Sequence, residues 1–364
     1  MELIEIEAPT KKRNKKRTAL SSIQMLRGIA ALLVAFAHLH AVEAKLGGPI
    51  IFGTWSLAGF SGVDIFFVIS GFIMVWTNKK NHGQISKLPR FWLLRIARIY
   101  PIWFLVCGAI YFVWLIHPNW VYHSHNSNPD ILKSFLLLPQ KELPLHAVGW
   151  TLVHELWFYV VFGILLLIPK QYFPIGISIW ASILIFLAII GFDPQSPELR
   201  LITHPLGLEF ICGAIVGLIA NKVPTRFGTQ IFATGMLIFI VGIFIATPNA
   251  NDFFARTNDR VIFFAIPFAL IILGLVKIEE DGWNAPKNMV RIGDYSYALY
   301  LIHVPAFAAC GRLMARFSNP NSLADNLIFC VISLIVAIIA AAILHLLFER
   351  PIMKMAHRLM PARQ

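Results

Sequence analysis

Charged residues are scarce in this chain of 364 residues. Only 14% of the residues are Asp, Glu, Lys or Arg, whereas a soluble domain carries about a quarter. Apolar residues make up 57% of the chain. This balance excludes an ordinary soluble globular protein and predicts a polytopic membrane protein.

Cysteine is also scarce. The four cysteines are scattered through apolar segments without Cys-x-x-Cys spacing. Disulfide frameworks and sequence-readable zinc sites need closer and more regular cysteines, so we expect neither and predict no metal. A cleavable signal peptide is not evident, because the first apolar segment is long and lacks a small-residue cleavage site. We expect this segment to act as a signal anchor.

Acidic residues are outnumbered, with 19 Asp and Glu against 31 Lys and Arg and a net charge of +12. The cations cluster in residues 11–17, in a few loops and at the ends of apolar segments. Such clusters set the orientation of a membrane protein, and a basic tail can lie against anionic lipid. We therefore expect membrane lipid, and no nucleic acid, as the partner of these charges.

Ten segments have the length and hydropathy of transmembrane helices. They are residues 20–42, 54–76, 98–116, 148–168, 172–191, 202–220, 228–246, 260–277, 293–311 and 324–348, and the third could begin near Arg90. Lys and Arg are more frequent in the connections that are inside if the N-terminus is inside. We predict an all-α, polytopic integral membrane protein of about ten transmembrane helices with both termini cytoplasmic. The predicted divisions are a basic tail at 1–19, a transmembrane domain at 20–350 and a C-terminal tail at 351–364.

Arg27 and His38 lie eleven residues apart in the first predicted span. At about 100° per residue the two side chains share one helix face, about 16 Å apart along the axis. An ionisable residue inside a span is costly and indicates a function by default. In the alternative interpretation, Arg27 extends to the headgroups and His38 is a packing residue near the opposite interface.

Asp64 and Glu209 are carboxylates inside predicted spans. Asp64 lies in GVDIFFVISGF, where Ser70 and Gly71 are small enough for close helix packing. Glu209 lies in GLEFICG, and the sequence identifies no partner for it. Because a buried carboxylate needs a partner or a proton, Asp64 is either a structural counter-ion or a functional group.

Arg95 and Arg98 stand three residues apart, on one helical face, in RFWLLRIARIYP. Arginine binds phosphate in a bidentate manner, so this pair would suit a phosphorylated cytoplasmic cosubstrate. Positive-inside anchoring would account for the same charges.

His154 and Glu155 open the fourth span in GWTLVHELWFY, near the depth expected for His38. A carboxylate that orients an imidazole is the usual arrangement for general-base catalysis. Alternatively, both side chains meet water in an aromatic belt with Trp150 and Trp157.

Three further features are weaker. Tyr297, Tyr300 and His303 are spaced by three in IGDYSYALYLIH, which predicts one polar stripe on the ninth span. The pair His123 and His125 is too isolated to predict a metal site. We expect Glu349 and Arg350 to form an ion pair, and Pro351 to end the last helix.

Six of these segments, in this order, resemble the membrane-bound acyltransferase-3 family of polytopic O-acyltransferases that act on bacterial envelope glycans. The resemblance covers about residues 20–350. It rests on MLRGIAALLVAFAH with its Arg-x10-His, GVDIFFVISGF, RFWLLRIARIYP with its Arg-x-x-Arg, GWTLVHELWFY, the Glu-Phe-x-x-Gly at Glu209, and IGDYSYALYLIH. The fourth segment most resembles the exopolysaccharide acetyltransferase branch. We expect no C-terminal SGNH-type domain.

The resemblance implies a multi-pass enzyme of the bacterial inner membrane. Its donor would be cytoplasmic acetyl-CoA, and its acceptor a hydroxyl of an exported or cell-surface polysaccharide or its lipid-linked precursor. Polysaccharide export machinery is a candidate partner. His38 would be the base or a transient acyl carrier, with Arg27 beside the donor path. Glu155 would support His38, and Arg95 and Arg98 would contact the coenzyme phosphates. The resemblance also includes the segments of Asp64, His154, Tyr297, Tyr300 and His303, which are candidates for the acceptor site or for support.

Other functions compete with this interpretation. Buried ionisable residues on several spans also describe a proton-coupled transporter, although the inverted repeats expected of a transporter are not visible. A binding or scaffold protein could keep the fold without the chemistry. Within the family, a succinyl donor or a small-molecule acceptor such as a macrolide is an alternative.

Overall fold

The computed structural model describes residues 20–46, 53–121, 128–246, 257–317 and 322–359. Every regular element in these ranges is a helix, which confirms the all-α prediction. The basic tail at 1–19 and the pair His123 and His125 lie outside the described residues. The main helices are α1 Ser21–Leu46, α2 Ser61–Asn78, α3 Leu88–Ile116, α4 Gly149–Leu166, α5 Phe173–Ile189, α6 Gly207–Ile219, α7 Gly228–Ala246, α8 Ile266–Glu280, α9 Ser296–Met314, α10 Leu323–Leu344 and α11 Arg350–Leu359.

The helices have membrane-spanning length. Among the described residues, nine helical segments are long and apolar enough to cross a bilayer. The apolar helix α5 is a tenth, shorter one, about 26 Å long at 1.5 Å per residue. The prediction of about ten spans agrees with this set, and α3 indeed begins ahead of Arg90.

Large apolar side chains cover the outer surface of the bundle. On α10, for example, Ile335, Ile339 and Ile343 are each at least half exposed. Water would make such a surface costly, whereas lipid tails solvate it. The outward faces are therefore suited to a bilayer, and the chain is a multi-pass membrane protein.

Glycines bring α2 and α6 into close contact. A Cβ atom added to Gly71 would lie 1.9 Å from the carbonyl oxygen of Phe210, and one added to Gly213 would lie 1.8 Å from that of Val68. The backbones therefore touch where each helix has no side chain. The expected close packing is present at Gly71, whereas Ser70 lines a cavity inside the bundle.

The prediction that Pro351 ends the last helix is wrong. A π-helical turn at His345–Glu349 follows α10, and α11 continues through Pro351 to Leu359. Proline lacks an N–H and its ring crowds the preceding turn of an α-helix. The wider π turn already interrupts the α-helical hydrogen bonds, so the chain stays helical. Residues 351–359 of the predicted tail therefore form a helix, and it packs against α3.

Candidate active site

A cavity of about 160 Å³ lies inside the bundle. Five helices, α1, α2, α3, α4 and α9, contribute to its wall. We call this space the inner cavity. Its polar lining residues are Arg27, Ser70, Arg95, Arg98, Thr151, Glu155, Tyr159, Tyr297 and Tyr300. The structure therefore brings together six of the residues singled out from the sequence: three arginines, one carboxylate and two tyrosines.

Arg27 is held by a short hydrogen-bond chain. Its Nη1 donates to the Oε1 of Gln24 at 3.0 Å, and the Nε2 of Gln24 donates to the Oδ1 of Asp294 at 2.7 Å. Asp294 lies just before α9 begins. These hydrogen bonds link α1 to the segment just before α9, and they hold the Arg27 side chain at the inner cavity.

Arg95 lies between two aromatic faces. Its guanidinium carbon is 5.6 Å from the ring centroid of Phe91 and 5.4 Å from that of Tyr159, within cation–π range. Its Nε is buried and has no hydrogen-bond partner among the described residues. Arg95 is thus a preoriented cation with one unused donor.

Glu155 is not placed as the sequence predicted. Its carboxylate accepts a hydrogen bond from the Oγ of Ser70 at 3.2 Å and a short one from the hydroxyl of Tyr159. Within the described part of the chain, it makes no hydrogen bond to His38. The prediction compared only the depths of the two residues, whereas the rotation of α4 turns Glu155 toward α2 and the arginines. The expectation that Glu155 orients His38 is therefore corrected.

His38 is oriented by its own helix. Its Nδ1 lies 2.9 Å from the carbonyl oxygen of Val34. Since a carbonyl can only accept, Nδ1 carries the hydrogen and donates it. The neutral ring then has its lone pair on Nε2. This nitrogen can accept a proton, which is what a general base requires.

Two more histidines surround His38. The ring of His303 is 4.9 Å from that of His38, and its Nδ1 donates to the carbonyl of Leu299 at 3.0 Å. His146 completes the group, with its Nε2 donating to the carbonyl of Leu301 at 2.8 Å. Burial lowers the pKa of His146 to about 4, and the nearby His38 acts in the same direction. We call His38, His146 and His303 the histidine cluster.

The polar stripe predicted on α9 joins the inner cavity to the histidine cluster. Tyr297 donates to the carbonyl of Ile99 at 2.7 Å, and Tyr300 donates to that of Val148 at 3.0 Å. Both tyrosines line the inner cavity, and the ring of Tyr300 is 5.9 Å from that of His303. The stripe therefore runs from the arginines to the histidines.

His154 faces away from the inner cavity. Its ring is 4.5 Å from that of His204 and 5.7 Å from that of Trp150. These residues line a separate groove of about 320 Å³. Consecutive helical residues differ by about 100° in direction. Glu155 therefore lines the inner cavity, whereas His154 lines the separate groove.

Asp64 has a structural partner. Its carboxylate is fully buried and accepts two hydrogen bonds from Arg260, at 3.2 and 3.0 Å. Glu209 lies close enough to interact electrostatically with both. Asp64 does not line the inner cavity, so the geometry corresponds to its interpretation as a counter-ion.

A wider space adjoins the inner cavity. It has a volume of about 560 Å³ and shares Arg27 and Arg98 with the inner cavity. We call it the vestibule. Its remaining lining residues are Gln24, Asp294, His345, Glu349, Arg350, Met353, Lys354, His357 and Arg358. Glu349 lies 4.0 Å from Arg98 and 2.9 Å from the Nδ1 of His345. The predicted ion pair of Glu349 with Arg350 is therefore wrong, because Glu349 faces α3 and its own preceding turn instead.

Several site residues escaped the sequence analysis. His146 was only one of several loop histidines, and Tyr159 was one aromatic residue among many in an apolar helix. The spacing of Tyr159, four residues after Glu155, was the available signal. Arg260 sits at the end of a polar loop and gave no indication that it pairs with Asp64. No group of three or more side chains suited to a metal ion occurs among the described residues.

Comparisons with known proteins agree with this architecture. The sequence profile of a family described as an acyltransferase domain, acyltransferase 3, matches residues 20–345. Exopolysaccharide production protein ExoZ of Rhizobium meliloti (strain 1021) is 27% identical over 272 aligned residues, covering 70% of this chain and 78% of that protein. Acyltransferase MdmB of Streptomyces mycarofaciens is 26% identical, covering 94% of each chain.

A protein of Staphylococcus aureus (strain COL) that carries a provisional O-acetyltransferase name is 27% identical over 79% of this chain and 51% of its own length. No solved structure matches significantly. The sequence comparisons confirm the resemblance to the acyltransferase-3 family.

Proposed function

The chain belongs to the acyltransferase-3 family, and from this premise we propose that it is an O-acetyltransferase of the bacterial inner membrane. The proposed donor is acetyl-CoA on the cytoplasmic side. The proposed acceptor is a hydroxyl group of an exported or cell-surface polysaccharide or of its lipid-linked precursor. Acyltransferase activity follows from the family. The acyl group, the donor and the acceptor are the proposal.

One observation carries the proposal: the inner cavity, which is lined by arginines, lies beside a group of histidines that includes a candidate base. Arg27, Arg95 and Arg98 line the inner cavity together with Tyr300. The ring of Tyr300 is 5.9 Å from that of His303, which is 4.9 Å from that of His38. Acyl transfer needs a cationic binding region for an activated donor and a base for the acceptor hydroxyl. The arginines of the inner cavity and the neighbouring histidine cluster supply these two functions.

His38 and Arg95 would have different roles in acyl transfer. His38 Nε2 accepts the proton of the acceptor hydroxyl as that oxygen bonds to the thioester carbonyl carbon. The carbon–sulfur bond then breaks, and the proton passes from His38 to the leaving thiolate. In a two-step variant, His38 itself first takes the acyl group. Arg95 lines the inner cavity, where its guanidinium can stabilise the negative charge that develops on the thioester carbonyl oxygen.

This arrangement suits a donor whose charged part cannot enter the bilayer core. The phosphates of coenzyme A are charged and do not cross a bilayer core. The pantetheine arm is thin and mostly neutral, so it can extend into the protein while the charged end stays at the surface. The small inner cavity and the wider vestibule next to it match these two parts of the donor.

The acceptor class rests on the relatives. One relative is named for exopolysaccharide production and another has a provisional O-acetyltransferase name. A third is named only as an acyltransferase. We take polysaccharide as the acceptor for this chain, with an exported or lipid-linked form reaching the histidine cluster from the outer side.

The test uses the full chain in proteoliposomes that contain radiolabelled acetyl-CoA on the side of Arg98. The acceptor is polysaccharide extracted from a strain of the source organism that lacks the gene. We expect label on the external polysaccharide with wild type and with the control His117→Ala, an exposed histidine remote from the cavity. His38→Ala should fold normally and transfer no label.

Equal transfer by wild type and His38→Ala would remove His38 from the chemistry. Failure of wild type to bind or consume acetyl-CoA, with no effect of Arg95→Ala on any measured transport, would overturn the donor assignment. A proton flux that depends on Asp64 and Glu209 but not on acetyl-CoA would favour the transporter.

A further inference from the structure

We propose that helix α11 completes the donor site and that Lys354 and Arg358 bind phosphate groups of the donor's coenzyme. This inference rests on the proposed function, because it names the residues that would recognise one part of the proposed donor. The family resemblance implies phosphate contacts for Arg95 and Arg98 alone. The vestibule points instead to the C-terminal helix.

The vestibule has an excess of positive charge. Five lining residues carry a permanent positive charge: Arg27, Arg98, Arg350, Lys354 and Arg358. The two lining carboxylates are already engaged, since Glu349 pairs with Arg98 and His345, and Asp294 accepts from Gln24. Arg350, Lys354 and Arg358 form no ion pair with any described residue. A polyanionic ligand would balance them.

The helix presents these cations together. Arg350, Lys354 and Arg358 follow one another at intervals of four residues, so they lie on one face of α11. That face borders the vestibule, and α11 packs against α3, which carries Arg98. The π turn at His345–Glu349 lets the chain stay helical past Pro351. Because this segment is helical, the three cations share one face.

The connection to the inner cavity argues for a ligand with a charged end and a thin arm. Arg27 and Arg98 line both spaces. The inner cavity has a volume of about 160 Å³, and the vestibule, which is more open to the surface, has about 560 Å³. Coenzyme A has a diphosphate and a phosphate monoester at one end, and a monoester alone carries about −1.5 to −2 charges at pH 7. The wide, basic vestibule suits that end.

A phosphate group could also come from an anionic lipid, because basic helices at a membrane surface bind such headgroups. The shared chemistry is a phosphate ester held by Lys and Arg. The coenzyme is favoured because Arg27 and Arg98 continue the basic surface into the interior of the bundle. A lipid headgroup would remain at the bilayer surface.

The experiment compares donors that differ only in phosphate. Wild type, Lys354→Ala/Arg358→Ala and the control Lys222→Ala/Arg226→Ala are reconstituted in phosphatidylcholine vesicles. The control removes two exposed cations from a loop that the positive-inside rule also predicts to be cytoplasmic. KM and kcat are measured with acetyl-CoA, 3′-dephospho-acetyl-CoA and acetyl-pantetheine.

We expect the Lys354→Ala/Arg358→Ala variant to raise KM for acetyl-CoA about tenfold or more, with kcat within about twofold, because charge-assisted hydrogen bonds are lost. KM for acetyl-pantetheine should not change, and the control should behave as wild type. A smaller KM effect with 3′-dephospho-acetyl-CoA would assign these cations to the 3′-phosphate.

Three results would overturn the inference. One is an unchanged KM for acetyl-CoA in a variant that folds, while wild type is active. Another is an equal rise in KM for acetyl-pantetheine, which would indicate a structural role. The third is a defect that appears only when phosphatidylglycerol is added, which would assign the cations to lipid. If wild type used none of the three donors, the proposed function itself would fail.

Discussion

The Nδ1 of His38 donates a hydrogen bond to the carbonyl oxygen of Val34, one helical turn earlier, at 2.9 Å. The ring is therefore fixed by the backbone of its own helix and presents Nε2 as its basic nitrogen. Many catalytic histidines are oriented by a carboxylate instead. In this protein the carboxylate singled out from the sequence, Glu155, belongs to the inner cavity.

His38→Asn separates the two roles of this side chain. The Asn amide can still donate to Val34, so we expect the variant to fold, but it has no basic nitrogen. Transfer should fall by about 10²–10⁴-fold, the usual contribution of a general base. The measurement is the initial rate in proteoliposomes together with the apparent melting temperature. A variant with more than about a tenth of wild-type activity would contradict the role of Nε2 as base.

Glu155→Gln tests the corrected position of Glu155. The carboxylate interacts electrostatically with Arg27, Arg95 and Arg98. Glutamine keeps the hydrogen bonds but removes the charge, so we expect a loss of transfer of about tenfold or more. The acid limb of the pH–rate profile should stay in place, because Glu155 does not touch His38. A shift of that limb by about one pH unit would instead support the carboxylate–histidine pairing that the sequence predicted.

Asp64→Asn should act on stability. It leaves Arg260 buried with a neutral partner, and removing one member of a buried ion pair costs about 3–5 kcal/mol. Arg260→Gln should cost a similar amount, and the double variant should cost less than the sum. Thermal unfolding in detergent gives these values. Activity per folded molecule should stay close to wild type; a large loss without destabilisation would place Asp64 in the chemistry.

Gly71→Ala should destabilise the contact between α2 and α6. The new methyl group would overlap the carbonyl oxygen of Phe210, so backbone must move, at a cost of about 1–3 kcal/mol. Gly108→Ala is the matched control, since a Cβ there meets nothing within 4 Å. The control should be neutral or stabilising by up to about 1 kcal/mol, because alanine favours the helix. Equal melting temperatures for both variants would argue against the close approach.

His146 should make stability depend on pH. Its pKa is lowered to about 4 by burial, whereas an unfolded histidine titrates near 6.5. Between these values the unfolded chain binds a proton that the folded chain does not, so stability falls as pH falls. The loss between pH 7.5 and 5 should be about 2 kcal/mol. His146→Gln can keep the hydrogen bond to Leu301 and should remove this loss, whereas His117→Gln should not.

The sequence by itself determined the class of this protein, its helices and most of the polar residues of its site. Scarce charge and ten apolar segments require a helical membrane fold, because a bilayer satisfies no exposed backbone polar group. Helical spacing also aligned Arg27 with His38 and put Tyr297, Tyr300 and His303 on one face, since the period of an α-helix is fixed. Local geometry of this kind can be read from spacing alone.

Only the tertiary structure decided which of these faces meet. Spacing gives the depth of Glu155 and of His38, but not the rotation of α4 relative to α1, so it could not place Glu155 among arginines or His146 beside His38. Contacts between residues far apart in sequence, such as Asp64 with Arg260, depend on how whole helices pack. The same is true of α11, because the π turn that carries it past Pro351 brings its cations to Arg98. These relationships arise from packing between helices. The helical repeat predicts which residues are neighbours within one helix, but not which helices come into contact.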